Sequence, residues 1–420
     1  MKKTITITIP AQTFEVEIDI GGVNPPTDPP VDPPAPPINS NFGVGANTFP
    51  WVPLSKFSDI GMKHVRLYCP WHWIGTAKGL FIEPMGQAWT NECPGIDTYL
   101  SRAKGLGIDT ILCLNQTPEW LRPTGNGTGG NDFPPIPEGR DRLKPESYKE
   151  YADFLFQIAA RYGRKIHPES VLKVDQTPQY PNQPLNQKKS GLDLLNIIEC
   201  GNELDHWFSG FDSPKYMQPE EHAAMLSLCY DSIKQADPAM RVAMAGTTDL
   251  NLWYLKRMND WFIKNRADKK FAADLINTHH YSNLGNKPGT DKPTWVNSGA
   301  CMPSEDKAFS QIVEIVQWAK SLGKECIVTE FGADTKAPSM MHINGSRYGV
   351  SDEQAQSTLI LKTLDAYEAA GVAAAYIFTA IDENAGADGG QFETSGIMTS
   401  KADGMKPKPA YNDLKALLKR

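Results

Sequence analysis

Eight short apolar runs, most of them followed by a helical pattern, constrain this chain more than any other feature. They are Phe42–Phe49, His64–Tyr68, Thr110–Asn115, Leu195–Cys200, Val242–Gly246, Leu275–His279, Cys326–Thr329 and Ala373–Phe378. Several are nearly continuous in apolar residues, as strands buried on both faces require. Amphipathic stretches lie between them, clearest at Ser147–Tyr162, Pro219–Ala236, Leu252–Asn265, Asp306–Leu322 and Asp352–Ala370. Ser351 reads as an N-cap, and Gly323 and Gly371 fall where helices end. Strand alternating with helix argues for a parallel sheet. Eight such units in roughly 380 residues fit an α/β fold of the (β/α)8 or TIM-barrel class with enlarged loops. The rival, a doubly wound open sheet, predicts a glycine-rich phosphate loop, and neither GxGxxG nor GxxxxGK[ST] occurs.

The start of the chain has a different character. Thr4–Ile9 and Phe14–Ile20 alternate polar and apolar residues and read as a β-hairpin. A lone hairpin is marginal in water, so this one is expected to dock on the main domain, another copy or a partner. Residues 23–38 contain eight prolines and read as an extended, inert tether. The expected organisation is a hairpin at 1–22, a Pro-rich linker at 23–38 and a barrel at 39–420. Lys2 and Lys3 mimic the start of a signal peptide, but the alternation after them is no apolar signal core. The compartment stays open, and an extracellular or virion-surface location is compatible with the sequence. A net charge of -7 argues against nucleic acid as a partner. No apolar run approaches the ~18–20 residues of a membrane span. Of seven cysteines, Cys69, Cys113, Cys200 and Cys326 sit in apolar runs and read as small core residues. No CxxC pair occurs, while Cys93 and Cys301 lie in loop-like segments and could pair.

Barrel chemistry sits at the C-terminal ends of the strands. Arg66 lies within the second run, with Trp71 and Trp73 beyond it. The third leads into Asn115 and Trp120, and the fourth into Asn202, Glu203 and Trp207. The sixth ends in His279, His280 and Tyr281, the seventh in Glu330 and the eighth in Phe378. Eight of the ten tryptophans (51, 71, 73, 89, 120, 207, 253 and 295) are expected on this face. Flat apolar rings mixed with carboxylates and amides suit sugar rings. Glu203 and Glu330 each end a buried strand, where a carboxylate is costly unless used or paired. Together they match the two carboxylates of a glycosidase. Glu203, near Trp207 and the like charge of Glu330, suits a general acid. Arg66 could hold Glu330 ionised as a nucleophile, and Tyr281 could donate to the same carboxylate. Asn202 could bind a sugar hydroxyl. Strict alternation puts Asn202 and Glu203 on opposite faces, so the strand must end or bulge there.

IIECGNELDHW at 197–207 and IVTEFGA at 327–333 resemble clan A of the glycoside hydrolases. HVRLY at 64–68, LNQTPEW at 114–120, HHY at 279–281 and KPAY at 408–411 extend the resemblance over roughly residues 42–415. It implies a (β/α)8 enzyme that retains configuration, with Glu203 as acid/base and Glu330 as nucleophile. Arg66, Asn202 and Tyr281 match the clan's supporting positions, as does His279 or His280, with alternation from Tyr281 favouring His279. TPEW and the acidic-aromatic stretch after Asn202-Glu203 look most like family 39. One departure is that the clan often places a tryptophan at the end of strand eight, where this chain has Phe378 and Thr379.

The expectation is a retaining hydrolase of a poly- or oligosaccharide that needs no cofactor. Its carboxyl groups should then stand ~5–5.5 Å apart. The alternative is a carbohydrate-binding or structural barrel of a larger assembly that does no chemistry. Glu199 shares parity with Glu203 and reads as a structural residue, paired with Arg66 or with a lysine inside the barrel. Adjacent histidines on a strand point to opposite faces, so a convergent metal set cannot be assembled from the eight histidines. The segment 382–390 reads as a solvated or substrate-edge loop.

Overall fold

The computed structural model describes residues 2–9, 12–19 and 42–419, except 76–78, 82–94, 123–132, 178–185, 288–298 and 384–389. The chain divides into two compact units, residues 1–35 and 36–420. In the first, strands Lys2–Ile9 and Gln12–Asp19 pair antiparallel, with Ile5 opposite Val16 and Ile7 opposite Phe14.

The second unit is a closed barrel of eight parallel strands. These are β1 (Gly43–Thr48), β2 (His64–Pro70), β3 (Asp109–Asn115) and β4 (Ile197–Cys200). They continue with β5 (Arg241–Met244), β6 (Leu275–His279), β7 (Glu325–Phe331) and β8 (Ala374–Ile377). All eight apolar runs are strands, with ends shifted by a few residues. β8 pairs with β1 from Ala374↔Gly43 to Ile377↔Ala46, which closes the ring. The principal outer helices are α1 (Leu54–Ile60), α2 (Trp71–Ile74), α3 (Ile96–Gly105), α4 (Lys149–Tyr162) and α5 (Pro219–Ala236). They end with α6 (Leu252–Asn265), α7 (Ser310–Ser321), α8 (Asp352–Ala370) and α9 (Pro409–Leu418). Ser351 caps α8 by accepting from the Gln354 amide, and Gly371 ends it in the left-handed conformation. No helix among the described residues is long and apolar enough to cross a membrane.

Strand alternation sorts the barrel interior into layers. The lowest is apolar: Ile111, Ile197, Ala243, Leu275, Ile327 and Tyr376 pack together. Gly45 makes room for it, because a Cβ there would lie 2.5 Å from the Tyr376 ring. Two residues further along the strands the interior becomes polar, with Arg66, Cys113, Glu199, Asn277 and Thr329 all buried. Sequence alternation alone carries the chain from a sealing plug to a charged floor beneath the C-terminal mouth. The four cysteines of the apolar runs are buried as expected. Cys301 is buried without a disulfide, and Cys93 lies outside the described residues.

Candidate active site

Arg66 organises the floor of the site. It is fully buried, and its Nε and Nη2 donate to Glu199 at 2.6 and 2.9 Å. Nη2 also reaches Asn202 Oδ1 at 2.6 Å, and Nη1 reaches Glu330 Oε1 at 2.7 Å and Asn47 Oδ1 at 2.8 Å. Glu199 is further satisfied by Asn277 Nδ2 at 2.8 Å and the Gly246 amide at 3.3 Å. Of the two partners the sequence left open, Arg66 or a lysine, the structure pairs it with Arg66. One guanidinium thus ties β2, β4 and β7 together beneath the mouth.

Glu330 points inward because β7 bulges. Thr278 pairs with Val328, yet the next residue, His279, pairs with Glu330. The extra residue, Thr329, also has its side chain within the barrel, bonded to Asn277 and His279. A bulge re-aims a side chain in this way. Tyr281 donates to Glu330 Oε2 at 2.9 Å, and the Tyr68 hydroxyl donates to Oε1. Burial works against the charged carboxylate. His279, Arg66 and the Tyr68 hydrogen bond outweigh it and hold the Glu330 carboxyl below its ordinary range.

Glu203 reaches the same mouth by a different device. β4 ends at Cys200, and Glu203 sits at φ 46 in the left-handed region. A non-glycine residue held there is strained and needs fixing on both sides. Its amide donates to Gly246 O at 3.0 Å. Two residues on, buried Asp205 accepts from the amide and hydroxyl of Thr248 at 2.9 and 3.0 Å. The Glu203 carboxylate is 22% exposed, against 6% for Glu330, so it meets solvent more readily. His279 bridges the pair, with Nδ1 2.8 Å from Glu203 Oε1 and Nε2 3.1 Å from Thr329 Oγ1 and 3.5 Å from Glu330 Oε1. Burial opposes its charge, but Glu330 and Glu203 raise its pKa overall. Gly246 admits the ring, since a Cβ there would lie 2.3 Å from His279 Nε2. His280 points the other way, to Asp306 Oδ2 at 2.8 Å and the Tyr367 hydroxyl at 2.9 Å. The two rings thus face opposite ways, as strand alternation requires, with His279 on the side of the two carboxylates.

Donor atoms of Glu203, His279 and Glu330 all lie within 4.8 Å of one another. Strand parity alone did not assemble this triangle. Its chemistry does not suit a cation: both Glu330 oxygens already accept from Arg66 and two tyrosines, and both imidazole nitrogens are engaged. The arrangement is that of two carboxylates facing each other, one held ionised and the other reaching the cavity.

A cavity of about 410 Å³ opens beside Glu203. Trp207, Phe208, Tyr281, Met340 and Phe392 give it a mostly apolar wall, with Thr248 and Gln391 as the polar part. The tryptophan ring foreseen from sequence is smaller than expected. Trp207 lines the cavity, whereas Trp71 is buried against Trp120, Tyr151 and Phe154. Trp120 is 39% exposed in a turn after β3. Trp71 and Asn115 border a neighbouring void of about 20 Å³ with Asn202, room for about one water. Trp51 stacks on Phe49 in an outer groove with Tyr99, and Trp253 lies under Arg257 on α6. These rings follow strand ends in sequence, but Trp51 packs on the edge of the core beside α1 and α3, and Trp253 is exposed. Trp89 and Trp295 lie outside the described residues. Phe378 is partly buried, in edge contact with Phe392 at 5.2 Å. Tyr68, Asn47 and Phe392 were not singled out. Tyr68 was legible, because it shares inward parity with Arg66; Phe392 lies in a loop with no pattern to mark it.

No protein-family model and no curated protein matches this chain. Solved structures match over nearly all of it. A family 39 glycoside hydrolase from the gut symbiont Bacteroides cellulosilyticus WH2 aligns with a TM-score of 0.58 and 13% identity, covering 99% of this chain and 70% of that one. The GH53 catalytic domain of Ignisphaera aggregans gives 0.54 and 14%, over 93% and 99%. The GH1 β-glucosidase of Exiguobacterium antarcticum B7 gives 0.53 and 14%, over 91% and 98%. The barrel is the fold of the clan A glycoside hydrolases, and family 39 is among its likenesses.

Proposed function

We propose that this protein is a retaining glycoside hydrolase acting on a poly- or oligosaccharide. Glu330 is the nucleophile and Glu203 the acid/base. The observation that carries this reading is the approach of the two carboxylates, whose nearest oxygens lie within 4.8 Å. Retaining enzymes keep these groups ~5–5.5 Å apart, whereas inverting ones need ~6.5–9.5 Å to admit a water. The environments fit the two roles. Glu330 is fixed by Arg66, Tyr68 and Tyr281 and kept ionised, as a nucleophile requires. Glu203 is the more exposed group and borders the cavity where a leaving group would sit.

In the first step Glu330 Oε attacks the anomeric carbon as the glycosidic C–O bond breaks. Glu203 gives its proton to the departing oxygen. In the second step Glu203, now a carboxylate, takes a proton from water, whose oxygen displaces Glu330 and regenerates both groups. His279, donating to Glu203 through Nδ1, orients that carboxylate in both steps.

The test is a panel of polysaccharides and aryl glycosides, run with the parent, Glu203→Ala and Glu330→Ala. Release of reducing sugar by the parent and its loss in both variants supports the assignment. Activity that survives in both variants moves the site elsewhere. Tight binding of a glycan without turnover by the parent favours a carbohydrate-binding barrel instead.

A further inference from the structure

Glu203 is carried by a turn and not by a strand, so groups outside β4 must fix where its carboxyl points. Two attachments do this, and both end on residues 246–248, just past β5. The Glu203 amide donates to Gly246 O at 3.0 Å. On the other side of the turn, Asp205 Oδ1 accepts from the Thr248 amide at 2.9 Å and the Thr248 hydroxyl at 3.0 Å. Between them Leu204 is buried, and its carbonyl accepts from the Met217 amide at 2.9 Å. The receiving segment is itself tied to β6. The His279 amide donates to Thr247 O at 2.8 Å, and the Thr247 hydroxyl donates to Thr278 Oγ1 at 2.9 Å. Residues 246–248 therefore set the position of Glu203 relative to His279, the ring that bonds its carboxylate. Asp205 is only 2% exposed, and both of its bonds from Thr248 end on one oxygen. Among the described residues Oδ2 meets no donor, so the grip requires an acceptor at Oδ1 and not a charge. Thr248 also lines the cavity beside Glu203, which places the grip at its wall.

We propose that Asp205 positions the acid/base: its grip on Thr248 holds the Glu203 carboxyl where the departing oxygen must receive its proton. This inference rests on the glycosidase reading above. Asp205 does not line the cavity, so it acts through Glu203 and not on the substrate. Loss of the grip leaves the nucleophile in place, because Glu330 is held separately by Arg66, Tyr68 and Tyr281. The defect should then follow the need for a proton. A poor leaving group depends on general acid help, worth roughly a hundredfold to ten-thousandfold, whereas an activated one departs as a stable anion without it.

The experiment compares the phenyl and dinitrophenyl glycosides of the sugar that the parent releases, using the parent, Asp205→Ala, Asp205→Asn and Thr248→Val. Asp205→Ala is expected to lower kcat/KM for the phenyl glycoside by roughly tenfold to a hundredfold, while the dinitrophenyl value stays within about threefold. A variant that still turns over the dinitrophenyl glycoside is folded, so this split separates misplacement of Glu203 from unfolding. Asp205→Asn keeps the acceptor and should stay within about threefold of the parent on both substrates. Thr248→Val removes one of the two bonds and should show the same split at roughly threefold to tenfold, and it carries the test alone if Asp205→Ala does not fold. Equal losses on both glycosides in the folded variants, or no loss on either, would overturn the positioning role and leave the glycosidase reading standing. An Asp205→Asn defect as large as that of Asp205→Ala would do the same. A parent that hydrolyses no glycoside would overturn both.

Discussion

Arg66→Met would leave two buried carboxylates short of their shared cation. Glu199 is fully buried and would lose contacts of 2.6 and 2.9 Å, keeping Asn277 and the Gly246 amide. Glu330 would lose its 2.7 Å contact and keep Tyr68 and Tyr281. Removing one partner of a buried ion pair costs about 3–5 kcal/mol, because the remaining charge stays desolvated. We expect that loss in urea unfolding at neutral pH. Glu199→Gln in the Arg66→Met background removes the stranded charge and should return more than about 1 kcal/mol, a non-additive cycle. Activity should not return with it, since Glu330 still lacks its cation. The pH dependence has a definite sign. A carboxyl held low in the folded state adds stability above its unfolded pKa of about 4.3, and that stability is lost as pH falls through the folded value. Without Arg66 the folded value rises, so the acid-side losses of stability and of kcat/KM move to higher pH. A cost below about 1 kcal/mol for Arg66→Met, with no recovery from Glu199→Gln, would refute the claim that this network holds a buried charge.

Three further outcomes follow from the geometry. Gly246→Ala places a methyl 2.3 Å from His279 Nε2, so it should cost about 1–3 kcal/mol in thermal unfolding and lower kcat/KM by at least about tenfold. His279 has a raised pKa, so its contribution to stability is present below about pH 6.5 and lost as pH rises through the folded value. Urea titrations across that range should show the loss in the parent and not in His279→Asn. Asp205 is pushed up to about 7 by burial, so the folded protein keeps a proton that the unfolded chain releases near pH 3.9. Stability should therefore fall between about pH 4 and 7 in the parent, a slope that Asp205→Asn removes.

Residues whose burial repeats with the strand period were readable in the sequence. Ile111, Ile197 and Leu275 mark the apolar plug, and Arg66 and Glu199 the layer above it, two residues on within their strands. The same alternation separated His279 from His280. What escaped depends on departures from the period. The β7 bulge that turns Glu330 inward has no local signature, and neither does the left-handed backbone of Phe392. For Glu203, alternation signalled that the strand must break, but not how. The break is a left-handed residue tied to Gly246, just past the neighbouring strand β5. The tryptophans misled because position after a strand does not say whether a large ring turns toward the mouth or packs on the edge of the core. Trp207 does the first and Trp51 the second.

The central claim is double displacement by Glu330 and Glu203, and the anomeric configuration of the first-released sugar tests it most directly. Proton NMR during hydrolysis of a β-glycoside substrate should show the β-hemiacetal forming first, with the α form growing in only by mutarotation. Initial release of the α-hemiacetal would mean direct attack by water, and would contradict the role of Glu330 as nucleophile.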